Sequence, residues 1–204
     1  MKSPLKKTVV LANGSFPPKN SLPRRILESA LRVVCCDGAA DSYRRKLGRV
    51  PDAVVGDCDS LKGRYPNTVI IPEQETNDLE KAVMYCRSCG WNDILVLGAT
   101  GRREDHSIGN VFRALELDGE IVTDRGRFIP VSESIVLNVK KGSAISILVP
   151  DKATKMTSQG LQWPLDGVRF DKIYAATLNR ASSSRVSLST TKKVSVFVSE
   201  ENLK

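Results

Sequence analysis

Ala53-Val54-Val55-Gly56-Asp57-Cys58-Asp59-Ser60 is the stretch on which the reading of this chain turns. Three apolar residues run into a glycine, and two carboxylates and a hydroxyl follow. The apolar run predicts a buried strand. If the chain stays extended past Gly56, residues i and i+2 point the same way. Asp57 and Asp59 then present two negative charges to one side. Two carboxylates that close repel each other and raise one pKa. A hard cation such as Mg²⁺ relieves the repulsion and keeps waters that phosphate oxygens replace. Taken alone, the pair also fits a solvated polar turn, so its surroundings decide.

On the N-terminal side, Thr8 to Ala12 is a short apolar run ended by Asn13-Gly14, which predicts a first buried strand and a loop. Leu22, Ile26, Leu27, Ala30 and Leu31 recur at helical spacing. Val33 to Cys36 reads as a second strand, ending in Asp37-Gly38. Ala40, Tyr43 and Leu47 form a helical face that Gly48 closes. On the C-terminal side, Thr68 to Ile71 reads as a fourth strand. A helix follows with Leu79, Ala82, Val83 and Cys86 on one face, opened by Asn77 and Glu80 in a capping-box spacing. Asp78 and Lys81 lie on one side of its first turn. Ile94 to Leu97 is a fifth strand, continuous and apolar as buried parallel strands are. Gly98-Ala99-Thr100-Gly101 and Arg102-Arg103-Glu104-Asp105-His106 come next. Ile108, Val111, Phe112 and Leu115 mark another helix, and Glu120 to Thr123 a sixth strand.

This alternation predicts an α/β domain over residues 1–125, a Rossmann-like, mostly parallel sheet with helices on both faces. Ligands of such sheets bind beyond the C-terminal ends of the strands. Asp37, Asp57, Asp59, Asp78 and the Gly98–His106 loop all follow strands or open the next helix. Convergence on one rim makes the acidic turn a candidate site.

After about residue 124 the rhythm changes. Short alternating runs, Ser134 to Val139, Ser143 to Val149, Ile173 to Leu178, Arg185 to Ser189 and Val194 to Val198, predict a small all-β sandwich over residues 126–204.

Composition narrows the classes. Lys plus Arg minus Asp plus Glu is 31 − 23 = +8 over 204 residues, which favours an anionic partner. The charge is scattered and only 5% of residues are aromatic, so base-stacking platforms are scarce. Four acids on one rim argue further against a basic nucleic-acid-binding module. The five cysteines are odd in number, and Cys86-Arg-Ser-Cys89 is a lone CxxC at the end of a helical pattern, so neither a disulfide framework nor a zinc site is expected. No apolar stretch approaches the ~20 residues of a membrane span. The basic start, Met1 to Lys7, precedes too short an apolar run for a secretion signal, so a cytoplasmic protein with no membrane partner is expected.

The chemistry is that of phosphates. There is no GxxxxGK[ST] and no GxGxxG after the first strand. Gly98 to Gly101 offers backbone N–H groups at the start of a helix, where anions bind. Arg102 or Arg103 adds charge-assisted hydrogen bonds. Acids beside a glycine-rich basic loop describe a metal–polyphosphate site, and phosphoryl-type transfer needs little beyond positioning and charge neutralisation. His106 is the only histidine. Neighbouring helical residues point about 100° apart, so Asp105 need not orient it, and a positioning role stands beside a catalytic one.

The residues resemble the thiamine pyrophosphokinase family. Val33 to Leu61, "VVCCDGAADSYRRKLGRVPDAVVGDCDSL", is similar to its Asp-Gly-Gly-Ala, Pro-Asp and Gly-Asp-Phe-Asp-Ser segments. "QETNDLEKAV" from Gln74 resembles its Gln-x-x-x-Asp-x-x-Lys-Ala region, and "LGATGRREDHSIGN" from Leu97 to Asn110 its Leu-Gly-x-x-Gly-Gly-Arg-x-Asp-His-x-x-x-Asn loop. "GLQWPL" from Gly160 resembles a stretch of its β domain. The resemblance implies transfer of a pyrophosphoryl group from ATP to the hydroxyl of thiamine, giving thiamine diphosphate and AMP. It implies Mg²⁺ on Asp37, Asp57, Asp59 and Asp78. Catalytic roles fall on Asp57, Asp59, Asp78, Arg103 and Asp105. Contacts to nucleotide and phosphate fall on Asp37, Gly38, Gln74 and Lys81, and on Gly98, Thr100, Gly101, Arg103 and His106. The thiamine contact falls on Asn179 in the β domain. A homodimer with active sites at the subunit interface is implied as well. Transfer to another hydroxymethyl heterocycle, such as a pterin, is the enzymatic alternative. The chain departs from the pattern at Ala39 and Arg102, each for glycine, at Cys58 and Glu104, each for Phe, and at Leu178 for Ser.

Overall fold

Thr8–Leu11 is buried at all four positions and forms β1, and Ala53–Gly56, equally buried, forms β3. The computed structural model describes residues 7–200, so of the basic start read from Met1 to Lys7 only Lys7 is described. The chain divides into two compact units between Asp124 and Arg125.

In the first unit the strands and helices alternate as expected: α1 (Leu22–Ser29), β2 (Arg32–Cys36), α2 (Ala39–Leu47), then β3 and β4 (Thr68–Ile70), α3 (Asp78–Ser88), β5 (Ile94–Leu97), α4 (Glu104–Glu116) and β6 (Glu120–Val122). The strands run β6-β5-β1-β2-β3-β4, all parallel. The order reverses between β1 and β5, where a sheet of this kind opens a crevice at its C-terminal edge.

Caps set the helix ends. The Ser21 side chain accepts from the N–H of Arg24, Asn77 accepts from that of Glu80, and Gly48 ends α2 at φ 65°. Val9, Leu11, Val33, Cys35, Leu95 and Leu97 pack with Ile26 and Leu27 of α1 and Ala40 and Tyr43 of α2. Strand side chains alternate, so Val10, Val34, Cys36 and Val96, all fully or nearly buried, face the opposite layer. There α3 lies against β1, β2 and β3. Each such Val or Leu contributes about 1.5–3 kcal/mol. A one-residue slip would turn a whole set onto the wrong layer. The strand ends, and the acids on them, are therefore held in register. In α4 the buried face is Val111, Ala114 and Leu115, while Ile108, expected on it, is 62% exposed.

The second unit holds β7 (Gly126–Val131), β8 (Ser134–Asn138), β9 (Ala144–Leu148), β10 (Met156–Gln159), β11 (Ala176–Arg180), β12 (Arg185–Thr190) and β13 (Val194–Ser199). Two antiparallel sheets, β11-β9-β13-β7 and β10-β12-β8, enclose Ile145, Ile147, Val186, Leu188, Val196 and the loop residue Phe170. Sequence patterning missed β7 and β10. Only the ends of β7 are buried, and β10 buries Met156 alone, so neither shows a clear alternation. β11 begins at Ala176 rather than Ile173, and its register shifts before Asn179, where Leu178 takes φ 66°. All five cysteines are free, with Cys86 in the core and Cys89 exposed. No helix among the described residues is long and apolar enough to cross a membrane.

Candidate active site

The acids gather where β2, β3 and α3 meet. Asp37 follows β2 and is buried. Its Oδ2 accepts hydrogen bonds from the Ser60 N–H (3.1 Å) and hydroxyl, while Oδ1 is buried with no partner. Asp57 follows β3, and Asp78 is the first residue of α3. One carboxylate oxygen from each of Asp37, Asp57 and Asp78 lies within 4.8 Å of the others. Gly56 makes this convergence possible. A Cβ there would stand 3.1 Å from both Asp37 Cβ and Asp78 Oδ1.

Asp59 is outside that set of three. The expectation that it points with Asp57 assumed an extended chain, but Cys58 adopts φ 66° and turns the backbone. Asp59 instead donates its N–H to Asp57 Oδ1 (3.3 Å) and remains exposed. Gln74 Nε2 donates to Asp57 Oδ2 at 3.1 Å.

The acids respond to one another. Burial raises the Asp78 pKa, and the charges of Asp57 and Asp37 raise it further. The Asp59 pKa is raised chiefly by the charge of Asp57. Asp57 moves the other way, because hydrogen bonds from Gln74 and the Asp59 N–H favour its ionised form. Lys81 supplies the nearest positive charge. It is buried, donates from Nζ to the Glu73 carbonyl (2.6 Å), and lies 3.9 Å from Asp78 Oδ1.

The second wall is the β5–α4 loop, at the switch point. The carbonyls of Gly98 to Gly101 are all engaged. Gly98 and Thr100 accept from the N–H groups of Gly14 and Ser15 (2.8 Å each), Ala99 from Asn110 Nδ2 (2.8 Å), and Gly101 from Ser15 Oγ (2.6 Å). The N–H groups of Thr100, Gly101 and Arg102 have no backbone partner among the described residues. With the N–H groups of Glu104 and Asp105, which the first turn of α4 leaves without an intrahelical partner, they offer a nest of donors for an anion, while the His106 N–H is spent on the Asp105 carboxylate. Arg103 pairs bidentately with Asp105, from Nη2 to Oδ2 (2.6 Å) and Nε to Oδ1 (3.1 Å). That guanidinium holds the Asp105 carboxyl down at about 2.

The two walls bound one cleft of about 730 Å³, lined wholly by the first unit. Asp37, Asp57, Asp59, Gln74, Asp78, Lys81, Thr100, Arg103, Asp105 and His106 all line it. Gly38, Gly98 and Gly101 do not. They leave room for the neighbouring loops, since a Cβ on each would meet Asn13 or Ser60, the Ala12 carbonyl, and Ser15 respectively. Asn179 belongs to the second unit. It is buried and its amide is spent on Trp163, accepting from the Trp163 N–H (3.2 Å) and donating to its carbonyl (2.7 Å). Sequence reasoning did not single out Asn13 or Ser15, which act through hydrogen bonds to residues far along the chain, whereas Asn110, the last residue of the quoted loop motif, holds the Ala99 carbonyl.

The loop carrying the acids is itself anchored. Asp41 accepts from the N–H groups of Lys62 (2.8 Å) and Gly63 (2.9 Å) and from the Tyr65 hydroxyl (2.8 Å). Burial works to raise its pKa, but these bonds outweigh burial and hold it below the ordinary carboxylate range. A depressed folded-state pKa contributes stability above the unfolded value of about 3.9, lost as pH falls through the folded value. Asp41→Asn should therefore cost about 1–2 kcal/mol at pH 7 by denaturant unfolding. The gap to the wild type should close below about pH 4. An unchanged midpoint at pH 7 contradicts this.

Two family models match the chain. The thiamin pyrophosphokinase catalytic domain matches residues 23–123, and the thiamin pyrophosphokinase substrate-binding domain matches residues 126–197. No curated protein matches it by sequence. Among solved structures, thiamine pyrophosphokinase from Bacillus subtilis superposes with TM-score 0.73 at 18% identity, covering 97% of this chain and 100% of that one. Thiamin pyrophosphokinase from Candida albicans gives 0.76 at 14%, covering 95% and 89%. The yeast enzyme gives 0.75 at 15%, covering 95% and 86%. At these identities the likeness to the solved structures is one of fold.

Proposed function

Because this chain belongs to the thiamin pyrophosphokinase family, we infer that it transfers a pyrophosphoryl group from ATP to the hydroxyl of thiamine, and that it does so at the acidic cleft of the first unit. The observation that carries the siting is the meeting of three carboxylates with Thr100, Arg102 and Arg103 of the β5–α4 loop in one cleft. A basic nucleic-acid module has no use for such a wall of acids.

The residues fit Mg²⁺. Asp37, Asp57 and Asp78 offer hard oxygen ligands within 4.8 Å of one another, and the orphaned Asp37 Oδ1 is a buried acceptor in want of a cation. When bound, the ion would offset phosphate charge and leave positions for phosphate oxygens. Asp59, exposed beside them, would reach the ion through water. Gln74 orients Asp57, and Lys81 holds Asp78 while offsetting the cluster's charge. The N–H groups of the β5–α4 loop and the first turn of α4 take the phosphate chain, with Arg103, Asp105 and His106 forming the nucleotide-side wall. The thiamine hydroxyl oxygen attacks the β-phosphorus and gives up its proton to water. The bond from that phosphorus to the α–β bridging oxygen breaks, and AMP departs with that oxygen.

For the rest of the enzyme we propose a cytoplasmic homodimer with active sites at the subunit interface, the second unit supplying the thiamine contact. In this chain Asn179 serves there by positioning Trp163, which is 53% exposed, rather than by offering its own amide.

The acceptor is tested by competition. Thiamine and a hydroxymethylpterin are supplied together with ATP and Mg²⁺. The expected result is one AMP per thiamine diphosphate with the pterin untouched. A diphosphorylated pterin, or ADP in place of AMP, overturns the assignment.

A further inference from the structure

The cations lining the cleft are not equivalent. Lys81 is committed to the Glu73 carbonyl and lies between Glu73 and Asp78. Arg103 is committed to Asp105 through two hydrogen bonds. Arg102 is different. Its Nη1 donates to the carbonyl (3.2 Å) and side-chain oxygen (3.3 Å) of Asn13, both neutral acceptors, and it has no carboxylate within ion-pair distance among the described residues. A guanidinium carries five N–H donors in a planar fork. Asn13 pins one nitrogen, and Nε and Nη2 keep three donors for a ligand. The pinning orders a long side chain before any ligand arrives, which reduces the entropy cost of binding. The same residue lines the cleft together with Thr100, two positions before it, whose N–H has no backbone partner among the described residues.

We propose that Arg102, rather than Arg103, is the guanidinium that grips the polyphosphate chain of the nucleotide, and that it sets nucleotide affinity. This rests on the reading of the cleft as a nucleoside-triphosphate site. It assigns a function to an arginine at a position where the resembling pattern carries glycine. Asn13 is its positioning residue, joining the β1 and β5 loops through the guanidinium.

The test is calorimetric titration with inorganic triphosphate and with a non-hydrolysable ATP analogue, in Mg²⁺, together with steady-state kinetics. Arg102→Gln should weaken both ligands and raise KM for ATP roughly 10- to 100-fold, as loss of a charge-assisted fork does. Its kcat should stay within about threefold, the signature of lost binding shared by ground and transition states. Arg102→Lys should recover part of the affinity as a point charge. Added salt should weaken the wild type more than Arg102→Gln. Unchanged triphosphate affinity in Arg102→Gln overturns the proposal. So does a fall in kcat and melting temperature at constant affinity, which would make Arg102 a brace for Asn13. A wild type that binds no triphosphate overturns the reading of the cleft itself.

Discussion

Asp57→Asn should lower AMP formation from ATP and thiamine by about 10²–10³-fold without unfolding the protein. Asp57 is one of three carboxylates within 4.8 Å of one another, and it is half-exposed at the end of a strand rather than in the core. Its removal leaves the buried Val54 and Val55 untouched. It also takes away a charge that raises the pKa of Asp78. The melting temperature without Mg²⁺ should therefore not fall, while the gain on adding Mg²⁺ should shrink, because ligand binding to the folded state is what raises it. Activity assays and melts with and without Mg²⁺ check both halves. Near-normal turnover contradicts the metal role, and a collapsed melting temperature would make the effect one of folding. Asp59→Asn should lose less than Asp57→Asn, since Asp59 stands outside the three.

Gly14→Ala should disable the nucleotide wall. An added Cβ would stand 2.3 Å from the Gly98 carbonyl oxygen and 2.7 Å from that of Thr100. These are backbone atoms with no rotamer to escape into. The β1 and β5 loops would have to part, breaking the Gly14-to-Gly98 and Ser15-to-Thr100 bonds (2.8 Å each) that hold the two loops together. The expected cost is about 2–3 kcal/mol, or roughly 5–10 °C in melting temperature. Affinity for triphosphate should drop by at least about tenfold. Gly109→Ala is the stability control. It lies within α4, and its Cβ would meet nothing within 4 Å, so it should leave stability unchanged or raise it by up to about 1 kcal/mol. Equal melting temperatures for Gly14→Ala and the wild type contradict the account of the loops.

What was legible in the sequence, and what was not, follows from the range of the forces involved. The runs Val33–Cys36, Ala53–Val55 and Ile94–Leu97 are continuous and apolar because both faces of a parallel sheet are covered, so strand ends and the acids on them could be read directly. Asp37, Asp57 and Asp78 converge as the topology requires. Asp59 does not, because one left-handed residue, Cys58, cancels the alternation that placed it. Asn13 looked like a turn residue, and Ser15 drew no reading. Their role appears only when Ser15 reaches Gly101, 86 positions away, and Asn13 receives Arg102, 89 positions away. Asn179 was placed by motif, and patterning encodes neither its hydrogen bonds to Trp163 nor the register shift that precedes it in β11.

ATP labelled at its β-phosphate, incubated with the enzyme, Mg²⁺ and thiamine, tests the account most directly. The label should appear in thiamine diphosphate, with unlabelled AMP released one for one, and Asp57→Asn should transfer almost none. Label recovered in ADP, or equal transfer by Asp57→Asn, would contradict pyrophosphoryl transfer at the Asp37–Asp57–Asp78 cleft.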